Sequence, residues 1–380
     1  MISVIIDGNY FLHKTFAIFS NFENKQPGEI LSDKNDQSMF MRKVITDFTY
    51  SLNQIPITGH AIFIKDSHSW RKSLDIKRAE YKGSRKGDER VNWGSFFDLL
   101  DEFGKLLESN GYVYSTAEGA EGDDLFWFWN KKLRELGHNV IICTGDKDSH
   151  QLAEYSNNLW TICWNANSKN NKIFCDSRWE SEYLNKNEDD DDSSIFNLDF
   201  MISNEKEKIK MLIEGAKLEV VNKDKLIFEK ILIGDKKDDV PSVFSYEKTP
   251  NKFYKLTEKK AISIYENFKK SEWGDMELKE IWNNKEFINW ISGFVLRSLT
   301  YTDNESNRKE VGNNYLENAQ LVWLSEEVIP EKVIKSMNDS YISSNLELKP
   351  ILRDKIKLIG RSKWDKYEAP SAFNPFKSFR

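Results

Sequence analysis

Three short, β-branched apolar runs each close on an aspartate: "ISVIID" at Asp7, "AIFIKD" at Asp66 and "NVIICTGD" at Asp146. Continuous apolar runs of this length, separated by stretches with helical periodicity, predict strands buried on both faces of a mostly parallel sheet, and hence an α/β fold. Helices are predicted at about 40–54, 94–110 and 121–136, and further strands at 111–116 and 158–164. In an open parallel sheet, sites form beyond the carboxyl ends of the strands. The three aspartates are therefore expected along one edge.

More carboxylates crowd the same expected edge. "AEGAEGDDLFWFW" starts an apolar helical stretch with Glu121, Asp123 and Asp124, and "TGDKDSHQL" adds Asp148 two residues past Asp146. Each of these, taken singly, also reads as a helix cap, a first-turn acid or a turn residue. Taken together they are costly. Two unit charges about 4 Å apart repel by roughly 4 kcal/mol at an effective dielectric near 20. A few such pairs would consume a domain stability of about 5–15 kcal/mol. The cluster therefore calls for cations. Carboxylate ligands without a His or Cys set favour Mg²⁺ or Mn²⁺ over zinc. The histidines at 13, 60, 68, 138 and 150 show no zinc-ligand spacing, and His68 and His150 read as incidental neighbours. A carboxylate site for two divalent ions points to phosphoryl chemistry.

The 380-residue chain is acidic overall, with a formal net charge of -6, but its cations are concentrated. Residues 65–90 hold nine Lys/Arg against five Asp/Glu, with Arg71, Lys72, Lys82, Arg85 and Lys86 beside Trp70 and Tyr81; residues 247–270 hold seven Lys against three Glu, among them Lys255, Lys259 and Lys260. Cations interleaved with aromatics suit backbone phosphates and unstacked bases. A second turn, "LIGDKKDDVPSV", places Asp235 and Asp238 three residues apart around Lys236 and Lys237, a spacing that either caps a helix or holds a hard ion. Residues 185–202 include the acidic run "NKNEDDDDSS" and read as a linker or insertion between an α/β unit (1–184, basic arch at about 67–92) and a helical region (203–298). The part from 299 to 380 has no clear pattern. Cys143, Cys163 and Cys175 lack metal spacing, and no apolar run is long enough to span a bilayer, so a monomeric, intracellular, cytoplasmic protein is expected. Dinucleotide binding is excluded by the lack of a Gly-x-Gly-x-x-Gly after any strand.

The order of these segments resembles the flap endonuclease and 5′-to-3′ exonuclease family, which includes bacteriophage ribonuclease H, over residues 1 to about 300. The resemblance implies a PIN-like 5′-nuclease fold with a helix-hairpin-helix-like duplex-binding region. It implies that Asp7, Asp66, Glu121, Asp123, Asp124, Asp146 and Asp148 hold two Mg²⁺ ions, with Asp123 and Asp146 closest to the chemistry. "YKGSR" is similar to the family's arch motif, so Lys82 and Arg85 would face the scissile phosphate. Asp238 would reach the second metal, supported by Asp235, with Asp239 standing where the family usually has Asn. The implied substrates are DNA and RNA–DNA hybrids with a 5′ end or flap, as in primer removal during replication. Where the family has a glycine-rich hairpin turn, "SVFSYEKTPNKFYKLTEKKA" contains no glycine, so a differently shaped hairpin is expected. Phage members diverge similarly, which points to a phage replication enzyme in a host cytoplasm. Two competing readings are a PIN-type endoribonuclease and a catalytically inert DNA-binding scaffold. The C-terminal "APSAFNPFKSFR" reads either as a tail strapped to the protein's own surface or as an aromatic peptide for a sliding clamp or single-strand-binding protein.

Overall fold

Strand β1 (Ile2–Asp7), buried along its length, lies inside the sheet and pairs in parallel with β2 (Ala61–Ile64) on one side and β4 (Asn139–Cys143) on the other. The structure, a computed structural model, describes the chain apart from residues 77, 79, 86, 88–90, 168–169, 185–208, 210–211, 250–251 and 350–380. β3 (Val113–Ser115) extends the sheet beyond β2, and β6 (Leu159–Asn167) extends it beyond β4, both in parallel. β7 (Asn170–Cys175) turns back antiparallel to β6, β8 (Lys217–Val220) runs parallel to β7, and β5 (Glu154–Ser156) pairs with β6 off the main path. The mostly parallel sheet flanked by helices agrees with the α/β expectation.

The predicted helices occur as α3 (Lys34–Asn53), α4 (Trp93–Ser109) and α5 (Gly122–Glu135), with α1 (Gly8–Glu23), α2 (Pro27–Ser32) and α6 (Ser177–Leu184) added to them. One face of the sheet contributes Val4, Ile6 and Phe63 to a core shared with α1, α3 and α4. An edge-to-face aromatic cluster fills it, with Phe48, Phe63 and Phe103 at centroid separations of 5.2–5.9 Å. The alternate strand positions face the other way by the two-residue period, where α5 presents buried Leu125, Phe126 and Trp129.

The described residues fall into two compact units: those of Met1–His68 and Gly87–Val221, with those from Lys335, form the first, and those of Ser69–Lys86 and Asn222–Ile334 the second. This division differs from the sequence reading. The basic segment after His68 belongs with the helical unit, residues 212–221 belong with the sheet, and residues 299–334 complete the helical unit. The second unit contains α7 (Lys223–Ile233), the hairpin β9 (Ser245–Thr249) and β10 (Lys252–Lys255), and helices α8 (Glu258–Lys269), α9 (Leu278–Ile281), α10 (Lys285–Ser298) and α11 (Glu305–Val322). The glycine-free stretch thus forms a two-stranded antiparallel ribbon. Tyr246 and Tyr254 stack across it at 5.6 Å, a cross-strand aromatic pair that supports a ribbon without a glycine turn. The acidic run in 185–202, Lys86 and the C-terminal tail with Phe373, Phe376 and Phe379 lie outside the described residues. No described helix is long and apolar enough to cross a membrane.

Candidate active site

In the first unit, Asp7, Asp66 and Asp146 lie at or just past the C-terminal ends of β1, β2 and β4, which are neighbours in the sheet. A chain of hydrogen bonds joins their loops. Asp7 ends β1 and caps α1, accepting the Tyr10 amide at 2.8 Å, while its other oxygen accepts the Thr144 hydroxyl at 2.7 Å. That hydroxyl oxygen accepts the Asp146 amide at 3.1 Å, and Asp146 accepts the Asp148 amide at 3.0 Å. On the other side, Asp66 accepts the Asn9 side-chain amide at 3.0 Å and the Gly122 amide, at the start of α5, at 2.5 Å. A Cβ on Gly122 would stand 2.5 Å from that Asp66 oxygen, so only glycine lets the carboxylate reach the helix N-terminus.

Burial pushes the Asp7 carboxyl up to about 7, and the nearby Asp66 and Asp146 carboxylates add to the rise against the opposing Tyr10 and Thr144 hydrogen bonds. Glu121 and Asp124 are both buried and form a capping box at the start of α5, with the Glu121 amide donating to Asp124 at 3.0 Å. Asp123 is partly exposed on the first turn of α5. Among the described residues, no three His, Cys, Asp or Glu side chains are grouped closely enough to enclose a metal ion. The carboxylates nevertheless fit a hard cation by their chemistry, because Asp7 sits in a surplus of negative charge that a cation would relieve. His68 is exposed, and His150 stacks on Phe174 at 3.5 Å.

The second unit gathers the expected cations on the 235–240 turn. Asp235 and Val240 bond each other through both backbone groups, at 2.9 and 2.8 Å, closing the loop. Gly234 has φ +79°, and a Cβ there would meet the Val240 carbonyl oxygen at 2.2 Å, which explains the glycine ahead of the acidic turn. The Asp238 carboxylate accepts from the Tyr81 hydroxyl at 3.1 Å, pairs with Arg85, and lies 3.8 Å from the Lys82 ammonium. Burial would raise Asp235, but Lys230 at 3.1 Å and the Lys237 and Asp238 amides hold it below the usual carboxylate range. Asp239 accepts the Ser84 amide at 2.8 Å and the Ser84 hydroxyl at 2.7 Å.

Lys72, Lys236, Lys237, Lys255 and Lys259 are exposed, and Lys260 is partly so. Two expected nucleic-acid contacts need correction. Arg71 is 2% exposed and stacks 4.7 Å from the Trp70 ring centre, and the Tyr81 ring is buried too. Both side chains are spent on packing within the second unit, so neither is presented to phosphates or bases. The sequence reading also missed Arg78, Asn314 and Asn318. Arg78 bonds Glu317 and Asn318 of α11 at 2.8 and 2.9 Å. Asn318 donates to the Ile231 and Pro241 carbonyls, both at 2.8 Å, and Asn314 donates to the Val243 carbonyl at 2.8 Å. Their i,i+4 spacing in a helix that buries both was the available signal.

Residues 3–183 match the family model described as the 5′-3′ exonuclease N-terminal, resolvase-like domain. A curated 5′-3′ exonuclease of Buchnera aphidicola (subsp. Schizaphis graminum) is 26% identical over 163 residues, 43% of this chain and 52% of that protein. The chain thus spans about half the length of this relative. The structure of the T5 D15 protein co-crystallised with metal ions superimposes with a TM-score of 0.50 at 16% identity, over 91% of this chain and 100% of that one. The bacteriophage T5 D15 flap endonuclease, in a pseudo-enzyme–product complex with DNA and metal ions, gives a TM-score of 0.50 at 15% identity, over 90% and 99%. At these identities the shared property is the fold.

Proposed function

Since the chain belongs to the 5′-3′ exonuclease family through residues 3–183, we propose that it is a divalent-metal-dependent, structure-specific 5′-nuclease. Its proposed substrates are DNA and RNA–DNA hybrids with a 5′ end or flap, and primer removal in replication is the proposed role. One observation carries the reading: Asp7, Asp66 and Asp146 stand at or just past the ends of the neighbouring strands β1, β2 and β4, and burial, with the charges of Asp66 and Asp146, raises the Asp7 carboxyl to about 7. Such a concentration of carboxylates suits hard divalent ions such as Mg²⁺ or Mn²⁺. Asp7, Asp66, Glu121, Asp123, Asp124, Asp146 and Asp148 are the proposed ligands. Divalent ions held there supply an activated water and neutralise charge developing on the phosphodiester.

The rest of the chemistry falls to side chains of the chain itself. Thr144 fixes the Asp7 carboxylate and the Asp146 loop through one hydroxyl. Lys82 and Arg85 converge on the Asp238 carboxylate, which the Tyr81 hydroxyl holds from the packed side; the two cations also suit a phosphodiester. The exposed Lys236, Lys237, Lys255 and Lys259 provide sequence-independent duplex contacts. A 5′-labelled flap, a nicked duplex and an RNA–DNA hybrid, each incubated with Mg²⁺ and with chelator, test the proposal: flap and hybrid are cut near the 5′ end only with Mg²⁺, whereas equal cutting in chelator rules it out.

Lys82→Ala is expected to slow single-turnover cleavage about tenfold or more with duplex affinity changed by less than about threefold. Replacing Lys255, Lys259 and Lys260 together with alanine is expected to weaken binding and reduce its salt slope by about 2–3, with little change in the rate of bound substrate. Binding isotherms at several salt concentrations and single-turnover rates separate the two effects. Parallel changes in the same parameter would refute the division of labour.

A further inference from the structure

We infer that Asp239 is a positioning residue that fixes the 80–85 turn and thereby aims Lys82 and Arg85, an inference resting on the reading of those two cations as phosphate contacts. Lys82 has φ 56°, a left-handed conformation that side-chain-bearing residues rarely adopt. The turn's own bonds run from the Gly83 amide to the Glu80 carbonyl at 2.9 Å and from the Arg85 amide to the Lys82 carbonyl at 3.3 Å. Something outside the turn must hold it against the 235–240 loop. The Lys82 amide reaches the Asp238 carbonyl at 2.9 Å. Ser84, which lies between the two cations and adjoins Arg85, gives both its amide and its hydroxyl to the Asp239 carboxylate.

The platform beneath is itself constrained. Asp239 has φ 58° inside the loop that Asp235 and Val240 close, and Asn318 holds the Pro241 carbonyl from α11. A carboxylate at this position offers two acceptor oxygens to the two Ser84 donors, where an asparagine would offer one. Asp238 touches the cations, whereas the hydrogen bonds of Asp239 reach them through residue 84, with a lesser direct attraction to Arg85. This gives the acidic pair two separate tasks.

The test compares Asp239→Ala and Asp239→Asn with the parent by amide hydrogen exchange and by cleavage of a 5′-flap duplex. Asp239→Ala is expected to raise exchange at residues 82–85 about tenfold with an unchanged melting temperature. It should also slow single-turnover cleavage about tenfold with affinity within about twofold, and Asp239→Asn should stay within about threefold of the parent. Added to a Lys82→Ala, Arg85→Ala background, Asp239→Ala should cause no further loss, because a positioning residue has nothing left to position. Unchanged exchange at 82–85, or a full additional loss in that background, overturns the inference. If the Lys82→Ala, Arg85→Ala protein cleaves at the parent rate, the reading of the two cations falls, and exchange alone decides whether Asp239 holds the turn.

Discussion

Asp7→Asn is expected to lower single-turnover cleavage of a 5′-flap duplex by about 10³-fold or more and to make the metal-free protein more stable at pH 8. The first effect follows from losing a proposed metal ligand, a contribution of several kcal/mol to the transition state. The second follows from the sign of the shift. The folded-state carboxyl titrates at about 7 against an ordinary value of 3.8, so between about pH 4 and 7 the folded chain binds more protons than the unfolded one. Stability contributed by this group is complete below about pH 4 and is lost as pH rises through about 7. A shift of this size corresponds to about 4 kcal/mol at most. Asparagine escapes this cost and still presents an oxygen to the Tyr10 amide. Melting in chelator should therefore show the variant several degrees above the parent at pH 8 and level with it at pH 4. Mg²⁺ should raise the parent far more than the variant. Equal metal-free stability of the two proteins at both pH values would mean that the fold does not raise the Asp7 carboxyl.

The strand-end aspartates were readable because a strand buried on both faces must be apolar until it ends, so the acid marks where it leaves the sheet. Helix α1 escaped the sequence reading because Asp7 both ends β1 and caps the helix that begins at Gly8, with no loop between them to signal a boundary. Glu121 and Asp124 illustrate the opposite limit. Their i,i+3 spacing suits a ligand pair and a capping box alike, and the structure places them in a capping box. The attachment of the basic segment to the 235–240 turn depends on pairs such as Arg85 and Asp238, 153 residues apart, and no local pattern encodes such a contact. Arg71 shows why residue type alone misleads: a guanidinium stacked on Trp70 is part of a packed interior.

Asp146→Asn tests the central claim, that the strand-end carboxylates serve a metal-dependent hydrolysis, more directly than any other change. Asp146 is exposed and takes part in the fold chiefly through its own amide to Thr144 and its acceptance of the Asp148 amide. An asparagine retains both contacts, so a loss of cleavage is not a loss of structure. It removes one negative charge beside the expected path of the phosphodiester, which favours binding of the polyanion. Affinity for a 5′-flap duplex and the single-turnover cleavage rate should be measured separately in Mg²⁺. The account predicts a rate lower by about 10³-fold or more with affinity equal to or tighter than that of the parent. Cleavage by the variant at close to the parent rate would contradict it.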